Sequence, residues 1–228
     1  MQIAGKAYYE LTALMLGPPA VPYVVPILLL YPANPAKSNG AAFVDFLNQT
    51  PMAFRAADPG GAEYYPPVAM GRVLMGDDFF GRFGYAYAAV QWDRDEIPFI
   101  NFHEGTAYFI PTDAAQYSIT FDDGDLLKHP PSALPGTLNA SKRLVFGYSA
   151  SSNILHTFVD HPVLKSAFPG CFDGVLLDGP PKLTSPYPQL QGLPAGLDGG
   201  GGLKTIAVLT ETKLQLLDGK DLRGESAE

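Results

Sequence analysis

The sequence predicts an α/β protein, a mostly parallel sheet covered by helices on both faces. Three observations predict it. Short apolar runs recur along the 228 residues, separated by Gly and Pro. Two of them, residues 23–31 (YVVPILLLY) and 84–92 (GYAYAAVQW), are apolar without alternation, as strands buried on both faces are. Stretches of strand character alternate with stretches of helical spacing, the order that builds parallel sheets. Residues 144–153 read as an apolar strand, a tight turn and a helix start in quick succession.

The elements follow in chain order. Residues 23–31 form a strand, and the loop 32–40 is rich in turn formers. Residues 41–47 (AAFVDFL) form the next strand, followed by a long Pro/Gly-rich loop to residue 67. Met70, Val73 and Leu74 have helical spacing and predict a helix within 68–80. The strand 84–92 comes next. Residues 93–135 show no firm period and read as irregular, with Asp122-Asp123-Gly124-Asp125 as a turn. Residues 142–146 (KRLVF) predict a strand, 151–159 a helix, and 172–177 and 205–209 two further strands. The Pro- and Gly-rich stretch 178–202 between them reads as a long insertion. One domain is expected over 1–228.

Composition removes several function classes. Gly and Pro total 24 and 22, below the share that marks low-complexity chains, and 46% of residues are hydrophobic. Fifteen basic residues against 23 acidic ones give a net charge of −8, which repels polyanions, so no nucleic-acid partner is expected. The single cysteine, Cys171, excludes an internal disulfide and a multi-cysteine zinc site, and reads as a small buried apolar residue. No charged segment followed by an apolar one opens the chain, and no stretch has the ~20 apolar residues of a membrane span. The expectation is a soluble, cytoplasmic protein with no metal, no cofactor and a homodimer as an admissible partner.

The sharpest motif is Gly147-Tyr148-Ser149-Ala150-Ser151, between an apolar strand and a helix start. So tight a turn strains its central residue and brings strand and helix backbones almost into contact. Small residues two before and two after are then required, and Gly147 and Ser151 meet this. The turn would raise the Ser149 hydroxyl at the sheet's C-terminal edge, beside free N–H groups of the helix. The Ala150 N–H would help hold a developing oxyanion. The competing reading is a Ser/Ala-rich helix cap without reactivity.

With this motif the sequence resembles the α/β-hydrolases, and more narrowly a bacterial group of α/β-hydrolase-domain proteins. The likeness runs through residues 23–33, 39–48, 84–90, 147–151, 172–177 and 209–212. It departs at Ser151, where Gly or sometimes Ala is usual, so mild crowding is expected there. The resemblance implies an α/β-hydrolase fold and a Ser–acid–His triad in that chain order. Ser149 maps onto the nucleophile. Glu211, just after a late strand, maps onto the acid, with Asp218 and Asp178 as alternatives. The second oxyanion donor should follow an earlier strand, at Gln49 or Thr50. The histidine should follow the acid, yet none occurs after Glu211. The expectation is therefore a chain that stops before its last strand, helix and histidine. Of the four histidines present, His103 is the candidate base within this chain. His156 should lie on a helix surface, His161 near that helix's end and His129 in a loop.

Three functions compete. The first is a serine hydrolase that cleaves carboxylic esters of small molecules through an acyl-enzyme on Ser149. Aromatic residues Tyr64, Tyr65, Phe79, Phe80, Phe83, Tyr85 and Tyr87 suit an apolar acyl or aryl site, or ordinary core. The second is an incomplete or non-catalytic α/β-hydrolase domain that binds a small apolar ligand. The third is an amidase or peptidase on the same scaffold.

Overall fold

A computed structural model describes residues 1–48, 68–112, 115–138, 140–148, 150–160, 170–178 and 204–208. The chain divides into two compact units, Met1–Ala140 and Ser141–Glu228.

The first unit is a mixed sheet. β1 (Gln2–Ile3) turns into β2 (Lys6–Leu16), which runs antiparallel to β3 (Val24–Pro32) from Tyr8↔Pro32 to Leu16↔Val24. β3 is antiparallel to β6 (Ala86–Gln91), and β6 is parallel to β4 (Ala41–Asn48). The short β5 (Val68–Ala69) adds to β4. The strand order β1-β2-β3-β6-β4 thus places β6 between β3 and β4. α1 (Met70–Met75) and α2 (Asp77–Phe83) make the crossover from β4 to β6. β4 and β6 supply the apolar centre, where Val44, Phe46, Ala88, Ala89 and Val90 are wholly buried. Phe43, Phe79, Phe80, Tyr85 and Tyr87 pack as edge-on, tilted and stacked rings 4.9–5.9 Å apart. This aromatic group is core around Phe80 and Tyr87, while Phe83 at its margin is half exposed. Gly84 ends α2 in the left-handed region (φ 76°), and a Cβ there would stand 2.2 Å from the Lys37 carbonyl oxygen. Only glycine suits that corner.

The second unit is parallel. β7 (Lys142–Tyr148), β8 (Gly174–Asp178) and β9 (Lys204–Val208) pair side by side in that order, and α5 (Ala150–Asp160) follows β7. Asp173 fastens the lower ends of β7 and β8. It accepts from the Arg143 N–H at 2.9 Å and sits 3.3 Å from the Lys142 ammonium. Strands joined by helices in this way are those of an α/β protein.

The elements expected from sequence at 23–31, 41–47, 84–92, 142–146, 151–159, 172–177 and 205–209 are present within a few residues. Two differences stand out. β2 has no counterpart in the sequence reading, because its apolar residues fall on both faces and most stay partly exposed. The segment 93–135 is not irregular. It contains α3 (Ile97–Glu104) and α4 (Ala115–Lys128), and Asp122–Asp125 lies within α4 rather than in a turn. α4 escaped notice because its inward side carries polar residues: Gln116, Thr120 and Asp123 are buried with Ile119 and Leu127. A search for apolar residues at helical spacing cannot register such a face. The loop expected at 48–67 and the insertion at 178–202 lie almost wholly outside the described residues.

Buried acid groups mark the first unit. Asp45, midway along β4, is fully buried. Its carboxyl accepts from the N–H of Phe46 at 2.7 Å, the N–H of Gly71 at 2.6 Å and the hydroxyl of Tyr87 at 2.5 Å. It therefore ties α1 to the sheet. Burial outweighs those hydrogen bonds and pushes its pKa up to about 7. Asp123 is also raised, by burial first and by the Asp45 charge second. The neutral carboxylic acid is the form that avoids two confined like charges. Tyr23 donates to Asp122 at 2.5 Å on the same helix.

A pH dependence follows. In the unfolded chain Asp45 titrates at its ordinary value of 3.8, against about 7 when folded. Between these values the folded state retains a proton that the unfolded state has released, so this group's contribution to stability falls as pH rises through the window. Asp45→Asn should flatten the curve of Tm against pH between about 4 and 7 relative to wild type, as read by calorimetry. Parallel curves for the two proteins would contradict this role.

Candidate active site

The candidate site is built on the junction of β7 and α5. Tyr148 ends the strand and Ala150 begins the helix. The two elements almost touch at Gly147, where a Cβ would stand 2.7 Å from Ser152 Cα, 2.8 Å from Ser152 N and 2.9 Å from a Leu155 methyl. Two of those three atoms are backbone, which cannot yield as the end of a side chain can. This is the close strand–helix approach that the small residue at 147 implies.

Ser151, where crowding was expected, acts as a clamp. Its hydroxyl accepts from the Tyr148 N–H and donates to the Tyr148 carbonyl, both at 2.9 Å. The bonds tie the first turn of α5 back to the last residue of β7. The position tolerates serine because the added oxygen finds partners on both sides. The inner part of α5 is buried almost all round, including Ser151, Ser152, Ile154, Leu155 and Phe158.

Strand register sets what lies level with this junction. Tyr148 pairs with Asp178 of β8, which pairs with Val208 of β9. The C-terminal ends of the three strands therefore lie in one row. Glu211 comes three residues after Val208 in the sequence, and it lies outside the described residues. Asp178, the alternative acid, is partly buried, and desolvation raises its pKa.

The other expected site residues distribute as follows. Ser149, Gln49, Thr50, Asp218 and His161 lie outside the described residues, as do Tyr64 and Tyr65. Ala150 is the first residue of α5, the position from which its N–H can act as a helix-terminal donor. His103 lies in the last turn of α3, in the first unit. Its ring packs on Phe99 and Phe102 with centroids 4.7 and 5.0 Å away. His129 follows α4 and pairs with Asp125 at 2.9 Å in an exposed position. His156 corrects an expectation. It is 2% exposed, not on a helix surface, because α5 buries nearly every side of its middle turns. Cys171 is buried, in line with its reading as a small apolar residue.

The sequence reading missed the Ser151 clamp and the Asp45–Tyr87 pair. Asp45 had a visible signal, since it is a lone acid inside an apolar strand (AAFVDFL). Among the described residues no group of three or more His, Cys, Asp and Glu is placed to hold a metal ion, and no helix is long and apolar enough to cross a membrane.

No family model and no curated protein matches the chain. Several solved structures resemble it. Brefeldin A esterase, described as a bacterial homologue of human hormone sensitive lipase, aligns over 77% of this chain and 40% of its own, with 12% identity and a TM-score of 0.47. The esterase Pf2001 of Pyrococcus furiosus aligns over 78% of this chain and 54% of its own, with 10% identity and a TM-score of 0.43. Oligopeptidase B from Trypanosoma brucei aligns over 76% and 20%, with 15% identity and a TM-score of 0.44. The chain spans from a fifth to about half the length of these structures.

The Gly147 contact has a measurable consequence. Gly147→Ala should lower stability by about 2 kcal/mol, a fall in Tm of about 4–8 °C for a chain this long. A Gly147→Ala protein with the wild-type Tm would show that the helix does not press on the strand here.

Proposed function

We propose that the chain carries the nucleophile of a serine hydrolase that acts on carboxylic esters of small molecules. The observation that supports this most directly is the junction itself. A strand ends at Tyr148, a helix begins at Ala150, and Gly147 lies in backbone contact with Ser152. On this reading the serine between them sits on a sharp turn at the strand's C-terminal end, next to the N–H groups of the helix start.

The chemistry proceeds in two halves. Ser149 Oγ adds to the ester carbonyl while a base removes its proton. The Ala150 N–H, with that of Gln49 or Thr50, stabilises the negative oxygen. Collapse expels the alcohol, which takes the proton from the base, and leaves the acyl group on Ser149. Water then adds by the same route and releases the acid. Glu211 orients the base and stabilises its protonated form. Of the four histidines in this sequence, His103 is the candidate base.

A second reading is an incomplete or non-catalytic hydrolase domain that binds a small apolar ligand. It is favoured by the packing of His103 on two phenylalanine rings.

The test is turnover of p-nitrophenyl esters together with labelling by a fluorophosphonate. Wild type should hydrolyse the ester and take the label. Ser149→Ala should abolish labelling and reduce kcat by at least about 10³-fold, and His103→Ala should lower kcat to a comparable degree. Turnover that survives Ser149→Ala would overturn the proposal. A protein that neither labels nor turns over, yet binds an apolar ligand, would establish the second reading.

A further inference from the structure

β2 has a long edge with no described strand beside it. Its inner side pairs with β3 without a break from Tyr8 to Leu16. Its outer side meets β1 only at Lys6 and Ala7, and the Tyr8 N–H and carbonyl close that pairing through Met1, each at 2.9 Å. Among the described residues no strand pairs with the outer side from Tyr9 to Leu16.

Backbone groups alternate along a strand, so the outward-facing residues can be identified. The Gly17 N–H bonds to the Tyr23 carbonyl on the inner side, whereas Tyr8 bonds outward to Met1. Glu10, Thr12, Leu14 and Leu16 therefore turn their N–H and C=O groups outward. Their side chains share one face, where Leu14 is 57% and Leu16 67% exposed. Leu11, Ala13 and Met15 form the opposite face. Residues 11–16 (LTALML) hold no charge and no proline, so the usual protections of an edge strand are missing. The one acid, Glu10, is paired at 2.7 Å with Arg72, a guanidinium it shares with Asp77. Pro18 and Pro19 close the far end.

We propose that this edge pairs antiparallel with the same edge of a second copy of the chain, about a two-fold axis at Ala13. An antiparallel strand can pair with itself, and one register fits every outward residue here. Centred on Ala13, Glu10 faces Leu16 and Thr12 faces Leu14, in both directions. Each of these facing pairs exchanges two hydrogen bonds, and none of the outward groups from Glu10 to Leu16 is left over. Moving the axis to Thr12 or Leu14 leaves some of them without partners. The Ala13 register also keeps the two Glu10 side chains at opposite ends, which matters for copies that each carry a net charge of −8. The apolar side chains then continue across both faces of the joined sheet. A strand-edge contact of this size belongs to the small, weak class, with Kd on the order of micromolar.

The test is independent of hydrolytic activity. Light scattering after size exclusion at about 100 µM, well above such a Kd, should give twice the chain mass of 24.4 kDa. The exposed change Leu14→Lys and the backbone change Thr12→Pro should each give the single-chain mass. In Ala13→Cys the two thiols face each other at a non-hydrogen-bonded position, Cα atoms about 4.5 Å apart, within disulfide reach. Mild oxidation should then yield a covalent dimer on a non-reducing gel. Glu10→Cys should not, since its two copies lie about 20 Å apart in this register. The native Cys171 is buried and does not compete. A wild-type protein of single-chain mass at this concentration would overturn the proposal, whether the edge is bare or covered by another part of the chain. So would a dimer that survives Leu14→Lys and Thr12→Pro and gives no Ala13→Cys cross-link.

Discussion

The contact between Gly147 and the first turn of α5 governs the second unit. A hydrogen atom is all that fits between the strand backbone and Ser152, so the helix starts at once where the strand stops. The first N–H groups of α5 belong to the orphan donors of any helix start. The Ser151 hydroxyl ties the turn to Tyr148 without using those donors, because both of its bonds go back to the strand. Burial of α5 on almost all sides holds the helix against β7.

The first unit is held by a different kind of constraint. Asp45 bonds to Tyr87 across two parallel strands and to the backbone of α1, so a carboxyl group substitutes for part of a helix cap from within the sheet. Burial of such a group costs stability unless its partners are complete, and removing one partner leaves the others stranded. Asp45 meets this condition through three donors. Asp123 has no described donor for either carboxyl oxygen, and its neutral form is then the less costly one. The acids sit where an ordinary apolar core would serve stability better, which makes the pair a source of pH sensitivity.

Sequence made some of this legible and hid the rest for physical reasons. The strands 41–47 and 84–92 were readable because burial on both faces leaves only apolar side chains. The β7–α5 turn was readable because steric contact restricts residue 147 to glycine. α4 was hidden because Gln116, Thr120 and Asp123 interrupt the face that periodicity is meant to find. β2 was hidden because an edge strand is half exposed on both sides and shows no clean alternation. The burial of His156 could not be foreseen from helix geometry alone, which gives a distance along the axis but not what packs around it. The sequence also pointed to Ser149, Glu211, Gln49 and Thr50, and their roles rest on the proposal.

The row formed by Tyr148, Asp178 and Val208 bears on the choice of acid. Neighbouring strands lie about 4.8 Å apart, so a residue leaving β8 starts next to the β7–α5 junction, and one leaving β9 starts about twice as far away. An imidazole placed between nucleophile and acid needs that extra width, since its two nitrogens lie on opposite sides of the ring and must each reach a partner. The acid must also be ionised to stabilise the imidazolium it faces. On the proposed hydrolase reading this spacing suits a carboxylate from beyond Val208, where Glu211 is the first acid in the sequence.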